Sequence, residues 1–371
     1  MRTTLGGSGH SRPLKILHID PERLWGGGEV QVLGLLGSLA DKGHRNDLLT
    51  HPDGKLWERC QGSEIRTLPL VVRNDLDLRP VWNLRRHIRR ESYDIVHLHT
   101  KRAHALSMWL PRGPRTPKYL VTRRMDYPES KNYYTRYLYN RCIDGVVAIS
   151  QSIVELLVEA GVDARRIRLI YSGIDVTRFN SGARRIAAER IPVIGTVAVL
   201  QERKGHRFLL EAVAQLKALG ISLRCLLAGE GAERKSLEEM GRLLGLGQEV
   251  SFLGFVADTP AFLAGIDIFV LPSLHEGLGV AALEAMAAGK AVVASRVGGL
   301  AEVIADGETG LLVPPGDSRA LGEAIAKLIA DPSLARAMGR RAAAHVREHF
   351  TVEKMAAQNE TYYYELLEAQ A

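Results

Sequence analysis

The sequence predicts an α/β protein made of two doubly wound parallel-sheet domains facing a central cleft, and three observations carry that reading. Short β-rich runs alternate with longer helical patterns almost from end to end, as expected of βαβ units whose sheets are covered on both faces. The series runs through once and then restarts at "IPVIGTVAVL". The length of 371 residues exceeds what one core usually serves, since chains of that size tend to divide.

In the first half the strand candidates are Lys15 to Ile19, Asn46 to Thr50, Glu64 to Leu68, Ile95 to His99, Tyr119 to Thr122, Gly145 to Ile149 and Ile167 to Ile170. In the second they lie in "IPVIGTVAVL", "SLRCLLAGEG", "EVSFLGFV", "IDIFVLPS", "AVVASRVGG" and "GLLVPPGD". The hydrophobic pattern lapses between Asn180 and Arg190, which sets expected domains at 14–182 and 190–350. Residues 351–371 read as a C-terminal helix whose stripe "YYYELLEA" docks on another element, crossing back toward the first domain. In such an arrangement the default ligand site is the cleft at the C-terminal ends of the strands.

Composition narrows the classes. Three cysteines, Cys60, Cys142 and Cys225, form no CxxC and no even framework, which fits a reducing compartment and speaks against a thiolate zinc site. The polar start "MRTTLGGSGHSRPLK" lacks the apolar region of a signal peptide. No run approaches the roughly 18 to 20 apolar residues of a membrane span, so a cytoplasmic protein is expected. The net charge of +7 is unevenly placed: residues 1–180 hold 29 Lys and Arg against 19 Asp and Glu. That basic half would attract a polyanion. Its densest patch, "RRHIRR" at Arg85 to Arg90, reads either as a solvated helix face or as a contact with an anionic acceptor or membrane surface. Trp25, Trp109 and Leu110 are read in the same way, as bilayer contacts or as buried packing.

Several turns carry candidate chemistry. Gly26, Gly27 and Gly28 sit at the N-terminus of a helix that carries Val30, Leu33, Leu36 and Leu39; taken alone they read as a tight strand-to-helix turn, and their free first-turn amides also suit phosphate or a sugar oxygen. Lys204, beside Arg203, heads the helix of another βα unit, where ammonium and helix dipole act together on an anion. "HEGLGVAALEAMAAG" places Glu276 at a strand end, Gly277, Leu278 and Gly279 after it, and Glu284 inside an alanine-rich helix. A carboxylate there is costly unless hydroxyls or amides satisfy it. A ribose diol would do so.

Taken together, "HEGLGVAALEAMAAGKAVVASRVGGLAEVIADGETGLLVPPGD" resembles the donor-binding signature of the retaining family 4 glycosyltransferases, whose two Rossmann-like domains form the GT-B fold. The resemblance covers nearly the whole chain. It implies that Glu276 meets hydroxyls of the transferred sugar, that the amides of Gly277 to Gly279 meet the distal phosphate or sugar, and that Glu284 holds the nucleotide ribose. It likewise gives Gly26 to Gly28 and Lys204 to the donor phosphates, with Gly298, Gly299 and Glu302 as scaffold, Glu302 either that alone or a support for the residues that touch the donor. The implied reaction moves a glycosyl group from a nucleoside-diphosphate sugar, UDP being the favoured nucleotide, with retention at the anomeric carbon. It uses no metal and no side-chain nucleophile.

Two positions depart from the family pattern. Ala198 stands where many relatives carry a phosphate arginine, which leaves the charge to Lys204 and Arg203; Arg123 stands about where many carry a histidine. Arg123 or Arg124 could meet phosphate or an anionic acceptor, but neither is a base at neutral pH. His97 and His99 are read as facing opposite ways along a strand, His99 reaching the cleft and His97 satisfied in the core. They and the "DLD" at Asp75 to Asp77 give no metal site. The expected acceptor is a lipid-linked or phosphorylated glycan, as in lipopolysaccharide or another envelope glycolipid, at the inner face of the cytoplasmic membrane. The alternatives are transfer to a small soluble acceptor and a non-catalytic nucleotide-sugar-binding protein. Missing readout motifs count against nucleic acid.

Overall fold

The computed structural model describes residues 12–74, 77–179 and 191–369. The expected domain junction between Asn180 and Arg190, Asp75 of "DLD", and the first eleven residues lie outside them.

The first sheet contains β1 (Lys15–Asp20), β2 (Arg45–Thr50), β3 (Arg66–Pro69), β4 (Ile95–Leu98), β5 (Lys118–Arg123), β6 (Gly145–Ala148) and β7 (Ile167–Leu169). All pairs are parallel, in the order β3-β2-β1-β4-β5-β6-β7. The second contains β8 (Val193–Val197), β9 (Arg224–Ala228), β10 (Val250–Gly254), β11 (Ile268–Leu271), β12 (Ala291–Ser295) and β13 (Leu311–Val313), also parallel, in the order β10-β9-β8-β11-β12-β13. Strands such as "IVHL" and "IFVL" are buried throughout, because helices cover both faces. The half-exposed edge strand β3 begins two residues later than the sequence pattern suggests, since its extent is set by pairing with β2.

Strand order reverses between β1 and β4 and again between β8 and β11. At such a switch point the loops diverge and leave a crevice at the carboxyl ends. The glycine loop follows β1, Lys204 follows β8, and Glu276 follows β11, so topology brings the three to two facing crevices.

The C-terminal helix Val352–Glu368 does cross back. A bridge between Ile174 and Thr351 carries the return, and a Cβ at Gly173 would stand 2.1 Å from the Thr351 carbonyl oxygen, so only glycine fits there. The aromatic stripe then docks on the first sheet. Tyr362 donates its hydroxyl to the Arg166 carbonyl at 2.8 Å, and the Tyr363 hydroxyl lies 2.7 Å from His97 Nδ1.

Candidate functional site

The N-terminal wall of the cleft is the glycine loop. Gly26 is extended, and its amide donates to Glu29 Oε2 at 2.7 Å, which ties the turn to the helix Gly27–Asp41. A Cβ at Gly27 would lie 3.5 Å from the Val280 side chain, and one at Gly28 would lie 3.7 Å from Arg124 Cδ. The loop thus faces the start of the opposite domain's helix Val280–Ala287 with no side chain between.

The opposite wall is built by two stitched turns. The 3-10 turn Glu202–Lys204 ends at Gly205, whose φ is +64° and whose Cβ would stand 2.0 Å from the Pro272 carbonyl oxygen. The Leu274 and His275 amides donate to the Arg203 carbonyl at 2.8 and 3.2 Å. This fastening sets Lys204 Nζ 2.5 Å from Glu276 Oε2, while Ser273 Oγ donates to the same oxygen at 3.0 Å. Arg203 is half-buried and its side chain turns to Gln201 Oε1 at 3.1 Å.

After Glu276 the glycines are dictated by close approach. A Cβ at Gly277 would meet the Arg124 carbonyl oxygen at 2.2 Å, and one at Gly298 would meet the Glu276 carbonyl oxygen at 2.0 Å. Gly279, at φ +88°, caps the helix Val280–Ala287. Leu278 sends its side chain into the core, only 1% exposed, which leaves its backbone for a ligand. Glu284 projects from the second turn of that helix. Burial pushes its carboxyl up to about 7, against the pull of Arg178, a residue that nothing in the sequence pattern pointed to.

The structure separates the two arginines. Arg123 is only 7% exposed and spent locally: it pairs with Glu129 Oε1 at 2.7 Å and donates to the Tyr127 carbonyl at 2.9 Å. Arg124 is the one beside the glycine loop. It donates to the His99 carbonyl at 3.2 Å, its Nε is buried without a hydrogen-bond partner, and it feels the charges of Asp20 and Glu29. Asp20 ends β1, and burial followed by repulsion from Glu29 raises its carboxyl to about 7.

The histidine expectation holds for His97, satisfied in the core, and fails for His99 and for their opposite facing. Residues two apart in a strand share a face, and the His97 and His99 rings stand 4.1 Å apart, both buried. His99 does not open onto the cleft; its Nε2 lies 3.0 Å from His18 Nδ1. His18 reaches Asn46 Oδ1 at 3.2 Å, and His97 spends both nitrogens, on Tyr363 and on Thr122 at 2.6 Å. The three rings offer nitrogens within 4.8 Å of one another. Desolvation lowers all three, His18 to about 4, and the neighbouring imidazoles, followed by Arg124, lower His97 and His99 further. Hydroxyl partners are confined to His97, while His99 Nδ1 is buried without a hydrogen-bond partner.

Glu302 proves to join the domains. Its carboxylate accepts from the Gln151 amide at 2.7 Å and the Ser152 amide at 2.9 Å, at the start of the first domain's helix Gln151–Glu159.

Two facing doubly wound sheets, with a glycine loop on one and the Glu276–Glu284 pair on the other, define the GT-B class of glycosyltransferases. Glycosyltransferase Family 4 matches residues 25–178 and Glycosyl transferases group 1 matches residues 183–345. The lipopolysaccharide core biosynthesis glycosyltransferase LpsE of Rhizobium meliloti is 33% identical over 85% of this chain and 89% of its own. The N-acetyl-alpha-D-glucosaminyl L-malate synthase of Bacillus anthracis is 29% identical over 75% and 76%. Among solved structures, HepE of Anabaena in complex with UDP-glucose superposes with a TM-score of 0.81 at 25% identity, covering 94% of this chain and 99% of that one. The sucrose-phosphate synthase of Thermosynechococcus elongatus gives 0.83 at 25% identity, covering 96% and 100%. This chain belongs to glycosyltransferase family 4.

Proposed function

We propose that this glycosyltransferase moves a sugar from a nucleoside-diphosphate donor, UDP being the favoured nucleotide, to a glycan or glycolipid acceptor with retention at the anomeric carbon. The observation that carries the reading is the Lys204–Glu276 pair, 2.5 Å apart, on the wall opposite the glycine loop. In this reading the diphosphate sits between the Gly26–Gly28 backbone and Lys204, with Arg124 replacing the charge that Ala198 does not supply. Glu276 takes sugar hydroxyls and Glu284 the ribose diol. Fixed donors aimed at the departing diphosphate stabilise the charge that grows as the glycosidic bond breaks, and the closed cleft keeps water from the donor. The acceptor hydroxyl approaches on the same face, and its proton passes to the leaving phosphate. Neither a side-chain nucleophile nor a resident metal enters the scheme.

The acceptor is lipid-linked or phosphorylated, as in lipopolysaccharide core or another envelope glycolipid, and is met at the inner face of the cytoplasmic membrane. Support comes from the basic first half and from the similarity to LpsE. The likeness to a sucrose-phosphate synthase favours the competing reading, a small soluble acceptor. A donor-hydrolysis screen across nucleotide sugars, read by mass spectrometry for the released nucleoside diphosphate, tests the donor side without knowledge of the acceptor. Tight nucleotide binding with no hydrolysis and no transfer would replace the enzyme with a nucleotide-sugar sensor.

A further inference from the structure

The helix Arg79–Glu91 turns Val81, Leu84 and Ile88 into the core. Its outward face carries Arg86, Arg89 and Arg90, all exposed, and the partly buried Arg85. Trp82 stands 67% exposed with the Arg86 guanidinium 5.7 Å from its ring. Trp109, 44% exposed, forms the far wall, so four arginines and two indoles border one open cavity of about 730 Å³. Of the other two side chains read alongside Trp109, Leu110 is buried and Trp25 lies beneath Arg59.

The acidic groups of this helix and its cap are already engaged. Glu91 pairs with Lys15 at 2.7 Å and with Arg66 at 3.4 Å, and Asp77 pairs with Arg79 at 2.7 Å. Among the described residues no ion pair engages Arg85, Arg86, Arg89 or Arg90. Like charges on adjacent turns destabilise a helix, and exposed indoles gain nothing from water. Apart from the contact between Arg86 and Trp82, the face is left without partners among the described residues, while its chemistry complements a phosphate-bearing layer with an apolar interior.

We propose that this face docks on an anionic phospholipid bilayer, with the arginines against lipid phosphates and Trp82 and Trp109 at headgroup depth. The proposal rests on the glycolipid-acceptor reading for its purpose, since it names the surface that would bring the cleft to such an acceptor. Topology supplies the geometry. The helix begins at the carboxyl end of the sheet, where the cleft lies, so Trp82 sits toward the cleft and Arg90 away from it.

The test is flotation of the full chain with phosphatidylcholine vesicles and with vesicles that also contain phosphatidylglycerol, at low and high salt. The wild type should bind the anionic vesicles alone and leave them at high salt. Arg86→Gln/Arg89→Gln/Arg90→Gln should weaken partitioning by about a hundredfold, roughly fivefold per arginine. Equal binding to neutral vesicles, undiminished binding by the triple variant, or retention by RNA without vesicle binding would overturn the proposal. Donor hydrolysis, measured without vesicles, separates the two readings. Hydrolysis kept by a triple variant that no longer floats supports a docking face; hydrolysis lost in the triple variant alone assigns the arginines to the reaction and overturns it. Nucleotide binding by the wild type with neither hydrolysis nor transfer sinks the transferase reading and leaves the flotation result standing.

Discussion

Lys204 Nζ lies 2.5 Å from Glu276 Oε2, with both side chains almost out of solvent, so a cation and an anion with separate assigned ligands form one neutral unit in the free protein. A donor that takes up both must replace each one's partner, phosphate for Glu276 and hydroxyl for Lys204. Binding therefore exchanges one charge-assisted contact for two. Lys204→Met should lower turnover about 10²- to 10³-fold, the usual effect of removing one transition-state donor. It should also destabilise the protein by roughly 3–5 kcal/mol, since it strands a buried carboxylate. In Lys204→Met/Glu276→Gln most of that stability should return while turnover stays low. Urea unfolding beside steady-state rates checks both; equal stability of the single and double variants would refute the pairing.

Glu284 links affinity to pH. Its carboxyl is raised from 4.5 to about 7 by burial, so between those values the folded state holds a proton that the unfolded state has lost. Stability then falls as pH rises through that window, and the full cost is present above it. Glu284→Gln should leave stability nearly unchanged near pH 4.5, stabilise the free protein at about pH 8, and weaken nucleotide binding roughly tenfold or more by loss of a charged hydrogen-bond acceptor. Thermal melts across pH and calorimetric titration with nucleoside diphosphate measure the two effects. Tighter binding by the variant would exclude the ribose role.

Arg123 and Arg124 are adjacent and should fail differently. Arg123→Gln removes a buried partner of Glu129 and should cost roughly 3–5 kcal/mol of stability. Arg124 keeps a buried Nε without a hydrogen-bond partner beside the glycine loop. Arg124→Gln should cost less stability but lower donor hydrolysis about 10²-fold if it stabilises the leaving diphosphate. The opposite ranking would return the role to Arg123.

Glu302 holds the two domains through the Gln151 and Ser152 amides. Glu302→Ala should cost about 1–2 kcal/mol, as for a lost helix cap, and raise KM for the donor more than it lowers kcat, because the two walls of the cleft then lose a contact that holds them at this spacing. An unchanged KM would mean that the contact is only a cap.

How much of this was legible in the sequence depends on the range of the interaction involved. The alternation of β-runs and helices, the restart at "IPVIGTVAVL", the glycine turns and the Glu276–Glu284 spacing are all local, and each reappears in the structure at its expected place. Hydrophobic period and turn chemistry act over a few residues, so a single chain displays them. The shared face of His97 and His99 was also within reach, since strand periodicity alone requires it.

Other relations join residues far apart in the chain, and no local pattern encodes them. Glu302 with Gln151, Glu284 with Arg178, and Tyr363 with His97 meet only because the C-terminal helix returns to the first sheet and the second domain faces it. The same holds for the choice between Arg123 and Arg124. Their residue types are identical, and what separates them is that the chain leaves β5 between them: Arg123, the last residue of the strand, meets Glu129, and Arg124, the first beyond it, lies beside Gly28. The sequence by itself determined the elements and the turns. Only the tertiary structure decided which charges are already spent on one another, because burial and pairing are properties of the packed whole.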